Sequence, residues 1–296
     1  MNKPKLSFWR IWNLSFGFLG VQIGYSLQNS NTSSIFESLG ADVSHLSYFW
    51  LAAPLAGMIV QPIVGLFSDG TWTRWGRRIP YILGGSLIST LALVLMPNCP
   101  KLLAFAPLAM GAFILLFMDL SFNVTMQPFR ALVADMLDDS QKTQGYVVQT
   151  FLINLGAVVG AILPLVMTWL GVSDEAAPEH VSPHIVYSYY AGGAILLLTV
   201  LVTSFKTREY PPGEFARYNN LSDEGGAKPV SFAGLMRNVP GVMVRLGVTQ
   251  FFSWAALFLM WTYLKPAITG VVTDHATGEV LSAGATQTWA VSYTHL

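Results

Sequence analysis

The chain has 296 residues, 53% hydrophobic and 11% charged, with Lys plus Arg matching Asp plus Glu at 16 each and a mean hydropathy of +0.49. Soluble domains carry about 25% charged residues, so this composition excludes a water-covered globule and sets most of the surface against a lipid bilayer. The single Cys99 excludes an intramolecular disulfide framework and a cysteine-based metal cluster; no metal, cofactor or nucleic acid is expected.

Seven long apolar segments follow one another at residues 8–28, 46–67, 79–96, 102–127, 145–170, 185–205 and 239–267, and an eighth opens near Leu281. Each is near the roughly 20 residues that a helix needs to cross a bilayer. Each is also about twice the length of a barrel strand and lacks sustained period-two alternation, so helices are predicted. The first segment has no small-residue cleavage pattern and reads as a retained span. With these spans, 14 of the 16 basic residues fall on one side of the membrane and only Lys101 and Lys265 on the other. That asymmetry places the N-terminus in the cytoplasm. The outer loops are acidic, with Glu37, Asp42, Asp174, Glu175, Glu179, Asp274 and Glu279.

Span one carries Gln22, Tyr25, Ser26, Gln28 and Asn29. Gln22, Ser26 and Asn29 share a helical face, while Gly17, Gly20 and Gly24 form another, suited to close helix contact. Asn31-Thr32-Ser33 reads as a glycosylation acceptor in an outer loop. Span two holds Gln61 beside Pro62. Its inner end runs into GLFSDGTWTRWGRR, residues 65–78, where Gly65, Asp69, Arg77 and Arg78 suit a charge latch; a plain positive turn would explain the arginines but not the acid with its glycines.

Span four leads through FILLFMDLSFNVTMQPFRALVAD, residues 113–135. At 3.6 residues per turn, Asp119, Asn123 and Gln127 share one stripe that cannot face lipid. Asp119 lies about seventeen residues from the outer end of the segment and eleven before Arg130, well within the hydrocarbon. A carboxyl group at that depth is costly as an anion, so it can hold a proton and release it when a cavity becomes wet; the bland alternative is a neutral acid bonded between helices. Arg130 and Asp135 sit at the inner surface, as interfacial anchors or as partners of the latch. A sodium site would call for several hard oxygen ligands, which one carboxylate and amides supply poorly, so a proton is favoured.

Span five adds Gln149, Asn154, Gly156 and Gly160, and span seven Gln250, Trp254 and Trp261. Amides and aromatic rings with few charges suit a small neutral sugar, its hydroxyls bonding to amides and its apolar face to rings. Each amide taken singly is open to the simpler reading of a bond between helices. Tyr187, Tyr189, Tyr190, Trp9, Trp12, Trp72 and Trp75 read as interface-belt residues. Between spans six and seven, the Pro211-Pro212 and Gly225-Gly226 pairs with mixed charge mark a linker, within which residues 231–236 read as a short amphipathic helix or a plain loop. The expected organisation is residues 1–205 as a six-helix half, 206–238 as a cytoplasmic linker and 239–296 as the start of a second half. Residues 291–296, VSYTHL, resemble translated adapter DNA and are read as possibly non-native, and the chain as a fragment.

Four stretches, GVQIGYSLQ at 20–28, residues 51–78, 119–135 and 145–160, together resemble the sucrose and α-glucoside:proton symporters of the major facilitator superfamily, close to the glycoside–pentoside–hexuronide cation symporters. The loop at 65–78 resembles the superfamily's G-x-x-x-D-x-x-G-R-R signature with an insertion. The resemblance implies an all-α membrane bundle, here truncated after about seven to eight of an expected twelve spans. It also implies alternating access and uptake of a disaccharide with a proton, without catalysis. It carries Asp119 over as the proton-coupling residue and Gln22, Tyr25 and Gln28 as polar span-one positions. Asn123, Gln127, Asn154 and Trp254 join them as substrate-binding candidates. Gly65, Asp69, Arg77, Arg78, Arg130 and Asp135 form the expected latch, with Asp69 approaching Arg130 when the transporter faces outward. One departure stands out: plant members tie the coupling acid to an arginine in span five, and residues 145–170 contain no basic residue. Asp119 therefore needs another partner or none, which suits a bacterial branch; a monomer in a bacterial inner membrane is expected. The rival readings are a sodium-coupled glycoside carrier and a non-transporting sensor or scaffold.

Overall fold

Long apolar runs without a competing partner in lipid satisfy their own backbone groups only as helices, and the chain does so throughout. The computed structural model describes residues 3–40, 46–103, 105–175, 180–219 and 239–271, with the side chains of 46–56, 59, 258 and 261–271 outside the description. In order, the helices are α1 Phe8–Ser38, α2 Leu46–Gly70, α3 Ile79–Leu95, α4 Cys99–Leu102, α5 Pro107–Met136, α6 Asp139–Trp169, α7 Pro183–Lys206, α8 Pro212–Tyr218 and α9 Gly241–Val271. A 3₁₀ turn at Met96–Asn98 joins α3 to α4. Among the described residues the only β pairing is an isolated bridge between Thr73 and Gly76. The chain divides into two compact units, Met1–Ser222 and Asp223–Leu296. In the second unit the described helix is α9.

In the first unit α1 is the central helix, packed on α6 and α7 and also on α5 and α3. Its surroundings explain its composition. Gly17 and Gly20 let the backbone of α7 approach, since a Cβ on Gly17 would lie 3.1 Å from Val200 Cα and one on Gly20 2.7 Å from Leu196 Cα. Gly24 faces Leu196, Leu93 and Phe122. From the other side, Gly160 of α6 leaves room for the Ile23 carbonyl, 2.5 Å from where a Cβ would stand, and Ser26 donates to the Ala157 carbonyl at 2.7 Å. Small residues of this kind replace apolar bulk where membrane helices meet closely. Thr203 of α7 reinforces the seam: its hydroxyl accepts from the Gly17 N–H at 2.7 Å and donates to the Asn13 carbonyl at 2.8 Å.

Four helical stretches, Ile79–Leu102, Pro107–Met136, Asp139–Trp169 and Pro183–Lys206, are long and apolar enough to cross a membrane by length and composition. The 31-residue α1 is long enough but more polar, because glycines, hydroxyls and amides (Ser15, Gly17, Gly20, Gly24, Ser26, Gln28, Asn31 and Thr32) make up half of the residues it buries. This is an all-α membrane protein with a helical bundle.

Several boundaries differ from those predicted, for one reason: a helix does not stop where its apolar run stops. α1 continues ten residues beyond Gln28, to Ser38. Asn31 is therefore buried in a helix with its amide donating to the Leu27 carbonyl at 3.1 Å, which corrects the reading of a glycosylation acceptor in an outer loop. Tyr189 is corrected likewise. It is fully buried, with its hydroxyl donating to the Leu27 carbonyl at 3.2 Å, and is no interface-belt residue. The short α8 follows Pro211 inside the expected linker, with proline at its first turn as helix starts favour. Residues 231–236, the segment near Leu281 and the VSYTHL string lie outside the described residues.

Candidate functional site

α1 and α5 run antiparallel in a single register that places Asp119. A Cβ on Gly111 would meet Phe36, Gln28 meets Asp119, Tyr25 meets Phe122 edge to face at 5.7 Å, and Phe18 stacks on Phe129 at 5.3 Å. Asp119 thus occupies a seam position that its neighbours fill with aromatic rings. It stands twelve residues into α5, about 18 Å along the axis at 1.5 Å per residue. Its side chain is buried, 3% exposed, and that of Gln28 is wholly buried.

The Gln28 Nε2 donates to Asp119 Oδ1. Asp119 Oδ2 and Gln28 Oε1, both buried, have no hydrogen-bond partner among the described residues. From this pair a polar line leads along α5 and onto α2. The Asn123 amide donates to the Asp119 backbone carbonyl at 2.9 Å, and Gln61 of α2 donates to Asn123 Oδ1 at 2.7 Å. Gln127 continues the stripe one turn on and is half-buried, as are Asn123 and Gln61. Gly57 of α2 admits this contact, with a Cβ there 3.4 Å from Asn123 Oδ1.

The other predicted binding residues divide. Gln22 is half-buried, its Cβ close to Gly156 of α6. Tyr25 is half-buried, bonded to Asn29 and within electrostatic reach of Asp119 and Arg130. Gln28 is not at a surface at all; it is buried with its amide bonded to Asp119. Asn154 is exposed, with its amide turned back to the Thr150 carbonyl at 2.8 Å. Gln149 bonds helix to helix, donating to the Phe129 carbonyl at 3.2 Å. Trp254 stands on α9 in the second unit.

At the end of the bundle that carries the turn between α2 and α3, Arg78 is buried and joins three groups. Its Nη2 is 2.5 Å from Asp69 Oδ1, its Nε 3.0 Å from Asp135 Oδ2, and its Nη1 donates to Ser68 Oγ at 2.5 Å. Arg77 meets the same Asp135 Oδ2 at 2.6 Å and covers the Phe215 ring of α8 at 4.1 Å. Asp135, only 19% exposed, is therefore the hub of the cluster, and Asp69, 53% exposed, its rim. Arg130 is exposed and forms no ion pair among the described residues. No neighbour stands within 4 Å of a Cβ on Gly65. The close approach falls at Gly76, whose φ of +117° suits glycine and whose Cβ would meet Glu209 Oε1 at 2.5 Å.

Glu209 is the residue that sequence reasoning missed. Its Oε1 accepts from the Arg78 and Ile79 N–H groups at 2.8 and 2.9 Å, two of the donors that the start of α3 leaves free. Burial pushes its carboxyl above the usual range, against the pull of those N–H groups and of Arg77. The acid follows Lys206 and Arg208 in a loop, and no local pattern ties it to a turn 131 residues earlier.

A membrane bundle with a carboxyl sheltered at span depth and a charge-bound turn between α2 and α3 is of major facilitator type. The chain matches the family described as MFS/sugar transport protein over residues 35–274, and it belongs to that family. It is similar to the general alpha-glucoside permease of Schizosaccharomyces pombe, 25% identical over 279 residues covering 89% of this chain and 48% of the permease. It is also similar to sucrose transport protein SUT5 of Oryza sativa subsp. indica, 25% identical over 283 residues, 85% of this chain and 51% of the relative. Sucrose transport protein SUC4 of Arabidopsis thaliana is 27% identical over 259 residues, 81% of this chain and 50% of the relative. The chain spans about half the length of these curated relatives.

Proposed function

We propose that this chain belongs to a proton-coupled importer of a neutral disaccharide or related glycoside, working by alternating access in a bacterial inner membrane with its N-terminus in the cytoplasm. One observation carries the reading: Asp119 is buried at span depth beside an uncharged amide, with a line of amides leading from it through Asn123 to the half-buried Gln61 of α2. An isolated acid in that position costs stability, which a pure scaffold has no use for. The names of the relatives, an alpha-glucoside permease and sucrose transport proteins, support the substrate class.

In this reading Asp119 takes a proton from outside and sugar binds against Gln22, Tyr25, Asn123 and Gln127. The bundle rocks, and loss of the proton inside accompanies release. Amides and a tyrosine hydroxyl offer the paired donors and acceptors that sugar hydroxyls need. No covalent step is part of the mechanism.

The test is sugar uptake by the full-length protein in liposomes under an imposed pH gradient. Wild type accumulates sugar against its gradient when the outside is acidic, and Asp119→Asn loses that accumulation. Accumulation driven by sodium alone, or unchanged pH coupling in the variant, would remove the mechanism.

A further inference from the structure

Two buried acceptors without donors sit on the two groups that already share a hydrogen bond. Asp119 Oδ2 and Gln28 Oε1 are both without a donor among the described residues, while Gln28 Nε2 donates to Asp119 Oδ1. A buried polar atom left unpaired carries its full desolvation cost, and one hydrogen can satisfy both. We propose that Gln28 is the proton-reading partner of Asp119: the proton is held on Asp119 Oδ2 and donated to Gln28 Oε1, closing a two-bond acid–amide ring with the existing Nε2–Oδ1 bond. This rests on the transport reading and deepens it by naming how the protonation state is passed on.

The chemistry is a single proton transfer. On release the O–H bond of Oδ2 breaks, its electron pair stays on the carboxylate, and the proton leaves to water. The ring then keeps one bond of two, and Gln28 Oε1 loses its donor. A planar amide is suited to this work because it offers a donor and an acceptor side by side. Turned the other way, it would set Oε1 against Oδ1.

The surroundings leave the pair to itself. Tyr25 on α1 is within electrostatic reach of Asp119 and of Arg130. Tyr189 on α7 bonds to the Leu27 carbonyl, next to Gln28, and pairs with Thr32 at 3.5 Å. The charged residues of the packed helices stand toward their ends: Arg10 and Glu37 on α1, Asp69 on α2, Lys101 on α4, Arg130 and Asp135 on α5 itself, Asp139 and Lys142 on α6, His184 and Lys206 on α7, and none on α3. Asn123 is held through the Asp119 carbonyl and Gln61, and Ser89 of α3 through Ser121.

The experiment is infrared difference spectroscopy of the purified full-length protein in liposomes across a pH titration, read at the carbonyl stretch of a protonated carboxyl group. Asp119→Asn identifies the band by removing it. Gln28→Met keeps the chain length and removes the amide; Gln28→Asn keeps the amide but withdraws it by one methylene. In both, the band moves to higher wavenumber, as a carbonyl that has lost its donor does, and its titration midpoint changes. A purely structural role for Gln28 leaves the band where it is in wild type, and that result overturns the proposal. A shifted band without pH-driven uptake supports the pair while removing the transport reading. Uptake with an unmoved band overturns the pair and leaves the transport reading standing.

Discussion

Glu209 shows a single side chain under two opposing forces. Two backbone N–H groups at the start of α3 and the Arg77 guanidinium favour its charge, and burial opposes it with the larger effect, so its carboxyl sits above the ordinary 4.5. A folded value above the unfolded one means that the folded protein holds the proton longer. The stability from this group is fully present below pH 4.5 and is lost as pH rises through the folded value. Glu209→Gln keeps an Oε1 able to accept both N–H groups and removes the charge. Thermal unfolding in detergent should then show equal or greater stability at neutral pH and a shallower decline as pH rises from 4.5. Glu209→Ala removes both acceptor bonds and should lower stability by about 1–3 kcal/mol. The same residue marks the limit of what the chain's text discloses. Asp119 was legible because an acid inside an apolar run is an exception that needs a reason. Glu209 in a polar loop is no exception, and its meaning lies in a contact 131 residues away. Gln28 was legible as polar and inward, but an amide's partner cannot be told from its own helix.

Helix contacts in this bundle are set by where side chains are missing. Gly160 holds α6 against α1, with the Ile23 carbonyl 2.5 Å and the Ser26 Cβ 2.9 Å from the position of an added Cβ. Gly84 lies inside α3 with nothing within 4 Å of that position. Gly160→Ala should therefore destabilise by about 1–3 kcal/mol through overpacking. Gly84→Ala should be neutral or stabilising by up to about 1 kcal/mol through helix propensity. Unfolding of the two variants under matched detergent conditions checks the difference. The glycine faces of α1 and α6 could be read from their i, i+4 spacing, and the centres of the spans from hydropathy. Their ends could not. Lipid thickness limits the apolar run but not the helix, so α1 carries on through Asn29–Ser38 on backbone bonding and on contacts with α7 and α5.

For the molecule as a whole, the inner cluster separates holding the bundle together from moving it. Asp135 binds both Arg77 and Arg78 from the end of α5, and Arg78 is buried, so Asp135→Asn leaves a buried guanidinium short of charge. It should cost about 1.5–3 kcal/mol, the range for hydrogen bonds to charged groups. Asp69 is half-exposed, and an ion pair so open to water is worth about 0–1 kcal/mol. If Asp69 served only to hold this bundle, its loss would scarcely register in any assay. The resemblance of its loop to the superfamily signature implies a second task, in the change between outward and inward arrangements. Asp69→Asn should then unfold within about 1 kcal/mol of wild type and yet transport about tenfold more slowly, equivalent to about 1.4 kcal/mol on the barrier between arrangements. Asp135→Asn should fall in both measurements together. Paired unfolding and uptake assays on the same liposome preparations separate the two cases. Equal uptake by Asp69→Asn and wild type would confine the acid to the modest structural role that its exposure allows.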